Sequence, residues 1–268
     1  MTGASDGIGA EAARQLAAKG ERLLLVGRSR EKIERIGSEL GAETVVADFA
    51  ELDDVRTLAS TVRERVDSLD VLANNAGAMF DARTLTQDGH ERTFQVNYLA
   101  PVLLTSLLME PLLAAKGSVV NTSSLGSQYG TIDLDDLEHE QRYTALRAYN
   151  DAKLAVTLFT RGLHDRFHAQ GLSTVAFHPG AIATNFGSES NRVTRALYHT
   201  PLKRLFTTAA KGGANLAWFV EGTSDVTWTS GAYYNQRRLP RRTNPQALDQ
   251  SLADSLWTRT ASTLRLPA

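Results

Sequence analysis

The chain has 268 residues, a formal net charge of −1 and no cysteine. Near-neutral charge without a block of one sign leaves no footprint for nucleic acid or another polyanion. The missing cysteines exclude disulfides, thiolate nucleophiles and cysteine-held metals, and fit a reducing, cytoplasmic setting. No apolar run reaches the ~18 to 20 residues of a transmembrane helix, and the length suits one α/β domain, residues 1–268, with room for a ligand cleft.

The first predicted element is a glycine turn, Thr2-Gly3-Ala4-Ser5-Asp6-Gly7-Ile8-Gly9, running into a helix that Gly20 stops. Glycines allow a tight turn and close backbone approach, and free N–H groups at a helix start favour a pyrophosphate. A structural turn before a helix would use the same residues. Leu23 to Val26 then reads as a strand ending at Gly27-Arg28, and Ile33, Ile36 and Leu40 mark a helix closed by Gly41. Thr44 to Ala47 is a second strand, ending at Asp48-Phe49; Leu52, Val55, Leu58, Ala59, Val62 and Val66 follow at helical spacing. Val71-Leu72-Ala73 leads into Asn74-Asn75-Ala76-Gly77, a long helical region spans Glu91 to Leu113, and Ser118 to Ser124 is again strand-like. Thr174 to Phe177 gives a further strand, ending in His178-Pro179-Gly180. Strands alternating with helices predict a Rossmann-type, doubly wound parallel sheet with helices on both faces. In such a sheet ligands lie beyond the carboxyl ends of the strands, where the glycines and polar residues gather.

The glycine turn should itself follow a strand, yet only Met1 and Thr2 precede Gly3. About five residues of the central strand are therefore expected to lie upstream of Met1.

Tyr149 and Lys153 are four apart, so on a helix they share a face. An ammonium near a phenol favours the phenolate and brings its pKa toward a working range for proton exchange. A solvated helix face has the same spacing, as do Tyr143 and Arg147, which are read as incidental. Ser124 stands upstream as a candidate partner for a substrate oxygen.

Together these motifs resemble the short-chain dehydrogenase/reductase family. Thr2 to Gly9 is similar to its cofactor loop, Asn74 to Gly77 to its strand-end motif, and Tyr149 to Lys153 to its active-site motif. The long interval from Ser124 to Tyr149, with acidic residues from Asp133 to Glu140, resembles the branch of retinol dehydrogenases and WW-domain-containing oxidoreductases, near which bacterial ketoreductases also fall. The resemblance implies that Tyr149 is the general acid in carbonyl reduction and the base in alcohol oxidation. Lys153 would lower its pKa and hold the nicotinamide ribose, Ser124 would bind the substrate oxygen, and Asn97 would hold a relay water. Gly3, Ser5, Gly7, Ile8, Gly9, Asp48, Phe49, Asn75, Ala76, Gly77, Pro179, Gly180, Ile182 and Thr184 would line the cofactor, with Asp48 and Phe49 flanking adenine.

Arg28 ends the first strand where an NAD binder would carry an acid, so NADP(H) is expected over NAD(H). Residues 185–211 include Phe186, Leu197, Tyr198, Leu202, Leu205 and Phe206, an apolar cover suited to a small-molecule substrate that is a bulky lipophilic carbonyl or alcohol, or equally to lid packing or a homo-oligomer contact. A catalytically silent dinucleotide sensor and a sugar-nucleotide epimerase are the rival readings; the complete proton-transfer set disfavours the first and the short C-terminal region the second. The acidic stretch reads as a solvated rim of the cleft, and Arg237, Arg238, Arg241 and Arg242 as solvated loop. His164 and His168 lack a third ligand, so no metal is expected. Asn244-Pro245 reads as a cap opening a helix whose Leu248, Leu252 and Leu256 pack inward.

Overall fold

The computed structural model describes residues 1–180 and 207–266. The described sheet has six strands, β1 (Leu24–Gly27), β2 (Glu43–Val46), β3 (Val71–Asn74), β4 (Ser118–Thr122), β5 (Ser173–His178) and β6 (Ala232–Asn235), and every pairing is parallel. They form a pair, β1 with β2, and a four-stranded sheet in the order β3-β4-β5-β6. Among the described residues, the first residues of the chain lie between β1 and β3. Met1 donates its amino N–H to Leu24 O (2.8 Å) and accepts from Val26 N (2.9 Å), while Thr2 N donates to Ala73 O (2.9 Å) on the other side.

Helices cover both faces. α1 (Gly7–Ala17) starts at Asp6, whose carboxylate accepts from Gly7 N; α2 (Arg30–Leu40) starts at Ser29 and ends at Gly41 in the left-handed conformation. α3 (Leu52–Arg65) buries Leu52, Val55, Leu58, Ala59 and Val62, the stripe expected from their spacing. α4 (Ala100–Leu107) and α5 (Met109–Ala114) follow, then α6 (Ala145–Phe167), α7 (Ala209–Glu221) and α8 (Gln250–Leu264). Val175 and Phe177 of β5 meet Leu216 and Phe219 of α7 on one face. On the other, Leu103 and Leu104 of α4, Leu154 and Leu158 of α6 and Leu256 of α8 form the larger core. Each such side chain contributes roughly 1.5 to 3 kcal/mol by leaving water.

The region Glu91 to Leu113 is helical as expected, in pieces: a turn at Arg92–Phe94 passes through a π-helical turn, Gln95–Leu99, into α4, and Leu108 separates α4 from α5. Three other sequence readings differ from the structure. Asn244 caps a short 3-10 turn, Pro245–Leu248, whereas α8 is capped by Asp249; Leu248 is consequently exposed and only Leu252 and Leu256 face inward.

The acidic stretch is solvated only in part: Asp133, Asp135 and Glu140 are exposed, whereas Asp136 is buried and Glu138 half-buried. Glu138 accepts from Glu91 N (2.6 Å) and pairs with His90 Nδ1 (2.8 Å), and His139 is buried against Asp151, which accepts from Thr131 N (2.6 Å). Carboxylates here satisfy backbone donors that a long loop would otherwise leave without partners. Arg237, finally, though exposed like Arg238, Arg241 and Arg242, donates to Asn215 Oδ1 (2.9 Å) and Ala214 O (2.8 Å) with its guanidinium over Trp218, so it ties the end of β6 to α7.

Candidate active site

The glycine turn is stapled to the end of β3. Thr2 Oγ1 accepts from Asn75 N (3.0 Å) and Ala76 N (3.1 Å), while Asn75 Nδ2 donates to Thr2 O and Gly3 O (both 3.2 Å). Gly3 takes φ +63°, and a Cβ there would stand 2.8 Å from Ala76 Cα; one on Gly9 would run into the Gly3 carbonyl. Only glycine allows this backbone-on-backbone contact. A dinucleotide pyrophosphate suits the resulting cradle: the first-turn N–H groups of a helix have no intrahelical acceptors, and the Asp6 carboxylate accepts that of Gly7 at the start of α1.

Asn97 lies in the π-helical turn, a device that commonly re-aims a side chain at a functional site. It is buried, donating from Nδ2 to Ala78 O (2.6 Å) and Thr93 O (2.8 Å) and accepting at Oδ1 from Ala78 N (3.2 Å). Its carbonyl oxygen and the Lys153 amine converge on Gly77, where an added Cβ would lie 2.7 Å from Asn97 Oδ1 and 3.1 Å from Lys153 Nζ.

Thr144 caps α6, accepting from Arg147 N, and the next turn carries Tyr149. Burial pushes the phenol pKa up, opposed by a side-chain hydrogen bond to Ser124. Ser124 Oγ accepts from Gly126 N (3.1 Å), which leaves its own proton available to a partner oxygen. Lys153 is 3% exposed, its Nζ lies 5.6 Å from the centre of the Tyr149 ring and donates to Thr122 O (3.0 Å), and burial lowers its pKa to about 8. The expected lowering of the phenol by this amine is not the leading effect in this arrangement; desolvation of both groups is. Ser123, next to Ser124 in the chain, donates to Lys153 O (3.0 Å) and is structural. Tyr143 donates to Phe80 O (2.7 Å), and Arg147 pairs with Asp151.

Arg28 is exposed at the end of β1, and among the described residues its guanidinium makes no hydrogen bond or ion pair. Asp48 accepts from Ala50 N (3.0 Å), a turn-capping role, and the Phe49 side chain is buried in the core rather than offered to the cleft. Pro179 O accepts from Asn215 Nδ2 (3.0 Å), and Gly180 takes φ +109°. Ile182, Thr184 and all of the 185–211 cover up to residue 206 lie outside the described residues.

Three contributors lie outside the residues expected from the sequence. Thr122 supplies the carbonyl that holds Lys153, Tyr233 of β6 donates to Ser124 O (3.0 Å), and Asn244 binds the carbonyls of Ser127 (3.1 Å) and Gly130 (2.8 Å) in the loop after Ser124. For Tyr233 the signal was present: Ala232 to Asn235 follows a glycine and pairs two aromatics, as a half-buried strand does.

A parallel sheet with a glycine cradle at its carboxyl edge, and a Ser-Tyr-Lys set beside it, define a Rossmann-type NAD(P)-dependent oxidoreductase. The short-chain dehydrogenase family model matches residues 1–194, and the chain belongs to that family. It is 39% identical to a candidate daunorubicin C-13 ketoreductase of Streptomyces sp. (strain C5), over 98% of this chain and 90% of that protein. It is 33% identical to retinol dehydrogenase 13 of Homo sapiens, over 100% of this chain and 84% of that protein. An uncharacterized protein from Mycobacterium paratuberculosis has a similar structure, with a TM-score of 0.77 at 29% identity, covering 100% of this chain and 93% of that one. Among the described residues no helix is long and apolar enough to cross a membrane.

Proposed function

We propose that this protein is an NADP(H)-dependent reductase of a bulky lipophilic ketone or aldehyde, acting in the cytoplasm and able to run in reverse on the alcohol. The observation that carries the reading is the convergence of Asn97 Oδ1 and Lys153 Nζ on Gly77, with Tyr149 and Ser124 hydrogen-bonded alongside. The nicotinamide supplies or accepts the hydride at the substrate carbon when bound. Tyr149 donates its phenolic proton to the carbonyl oxygen as that carbon is reduced, and takes a proton from the alcohol in the reverse direction. Ser124, its oxygen engaged by Gly126 N, directs its O–H to the same oxygen and stabilises the charge developing there. Lys153, anchored on Thr122 O, and Asn97, anchored on Ala78 and Thr93, hold positions next to Gly77 from which a ribose hydroxyl and a proton-relay water would be bound.

Arg28 supports the choice of NADP. Its neighbours Arg30 and Lys32 pair with Glu34 (3.1 Å) and Asp6 (2.8 Å), which leaves Arg28, among the described residues, as the cation available to a 2′-phosphate at that strand end. Leu125, next to Ser124, Leu146, one helical turn before Tyr149, and Tyr129 at 73% exposure present apolar surface, in keeping with a lipophilic substrate. The names of the relatives suggest two scaffolds to assay, an aromatic polyketide ketone and retinal. The test is cofactor oxidation at 340 nm with both, using NADPH and NADH. Arg28→Gln should raise KM for NADPH about 10-fold and leave KM for NADH unchanged. Equal effects on the two cofactors would refute the assignment.

A further inference from the structure

β5 and β6 direct their side chains to two different layers. Thr174 Oγ1 donates to Thr160 O of α6, so residues 174, 176 and 178 face α6, and the register pairs Ala176 with Tyr233 and Phe177 with Tyr234. Tyr234 therefore packs under α7, its ring 5.4 Å from that of Phe219, and its hydroxyl accepts from Thr229 N (2.9 Å). Tyr233 takes the opposite layer, with the Tyr149 helix, and its hydroxyl donates to Ser124 O. Two adjacent tyrosines thus do different jobs.

The backbone ladder between β4 and β5 ends one residue before Ser124, where Ser123 N donates to Phe177 O (2.8 Å). The peptide after Ser124 is the first outside the sheet. Its carbonyl accepts from Ser127 Oγ (2.8 Å) and Ser127 N (3.1 Å), but those bonds lie within the same short turn and move with it. The bond from Tyr233 spans 109 residues and fixes that carbonyl against the sheet. Since the Ser124 side chain leaves the same backbone, fixing the peptide plane fixes where Oγ can stand. The two phenols also lie near enough for Tyr233 to add to the upward shift of Tyr149, and burial pushes Tyr233 itself up to about 12, so it stays a donor.

We propose that Tyr233 is a positioning residue for this reaction, locking the Ser124 peptide so that its hydroxyl faces the oxygen shared with Tyr149. The proposal rests on the reductase reading above. The test uses Tyr233→Phe, which keeps the buried ring and removes only the hydroxyl, with Tyr234→Phe as the control that loses a hydrogen bond on the other face. Ser124→Ala and the Ser124→Ala/Tyr233→Phe double variant complete a cycle. Expected for Tyr233→Phe is a fall in kcat of roughly 3- to 10-fold, the scale of one hydrogen bond, with the Kd for NADPH unchanged by fluorescence titration. The double variant should be no slower than Ser124→Ala, and Tyr234→Phe should lower Tm and leave kcat at the wild-type value. Full additivity in the double variant, or a wild-type kcat for Tyr233→Phe, would overturn the proposal. Undiminished turnover by Tyr149→Phe would instead overturn the reductase reading itself, so the two failures are distinguishable.

Discussion

Replacing Lys153 with methionine separates what this residue does for catalysis from what it costs the fold. The amine is almost completely buried and donates to Thr122 O; desolvation lowers its pKa from 10.5 to about 8. A lysine whose folded pKa is below its unfolded one binds fewer protons folded than unfolded between those two values, so stability rises with pH across that window. Below pH 8 the charged form is present in both states and the penalty is complete, at about 3 kcal/mol for a shift of this size. Above pH 10.5 the penalty is gone. Methionine has similar length and no charge, and leaves Thr122 O without a donor at every pH, a constant cost of about 1 to 3 kcal/mol. The constant part cancels when two pH values are compared. Between pH 7 and pH 10, then, wild type should gain roughly 2 kcal/mol relative to Lys153→Met, measured by urea unfolding of the cofactor-free protein. A difference between the two proteins that is flat with pH would mean that Lys153 is not desolvated, and the reasoning would fail.

Two further outcomes probe the surroundings of the site. Glu138 raises the pKa of His90 by their hydrogen bond, so His90 contributes stability that is full below pH 6.5 and lost as pH rises through its raised folded value. Glu138→Gln should remove that pH dependence and lower stability at pH 6 by about 1 to 2 kcal/mol, read by urea unfolding; an unchanged pH profile would show that the acidic stretch is not docked through this pair. Gly77→Ala places a methyl 2.7 Å from Asn97 Oδ1 and should cost about 1 to 3 kcal/mol of stability while weakening NADPH binding in a fluorescence titration. Wild-type values for both would rule out the convergence at Gly77.

Local features of the chain were legible because their causes are local. The glycine turn into α1, the apolar stripe of α3 and the four-residue spacing of Tyr149 and Lys153 follow from backbone sterics and helix periodicity, and each was readable without a neighbour. What escaped depends on partners far away in the chain. Glu138 looked like a solvated charge because nothing near it announces His90 and Glu91 N, 47 to 48 residues earlier. The π-helical turn at Asn97 has no periodicity signal, since it inserts a residue into a helix that reads as continuous. Leu248 illustrates the reverse error: it falls on the apolar stripe of α8 by spacing, but Asp249 starts that helix one residue too late to include it.

The most direct measurement compares wild type with Tyr149→Phe in NADPH-dependent reduction of a lipophilic ketone. The hydroxyl is the only group removed, so the Kd for NADPH should hold while kcat falls on the order of 10²- to 10⁴-fold, the range for loss of a positioned general acid. Turnover by Tyr149→Phe at the wild-type rate would contradict the assignment of proton transfer to this site.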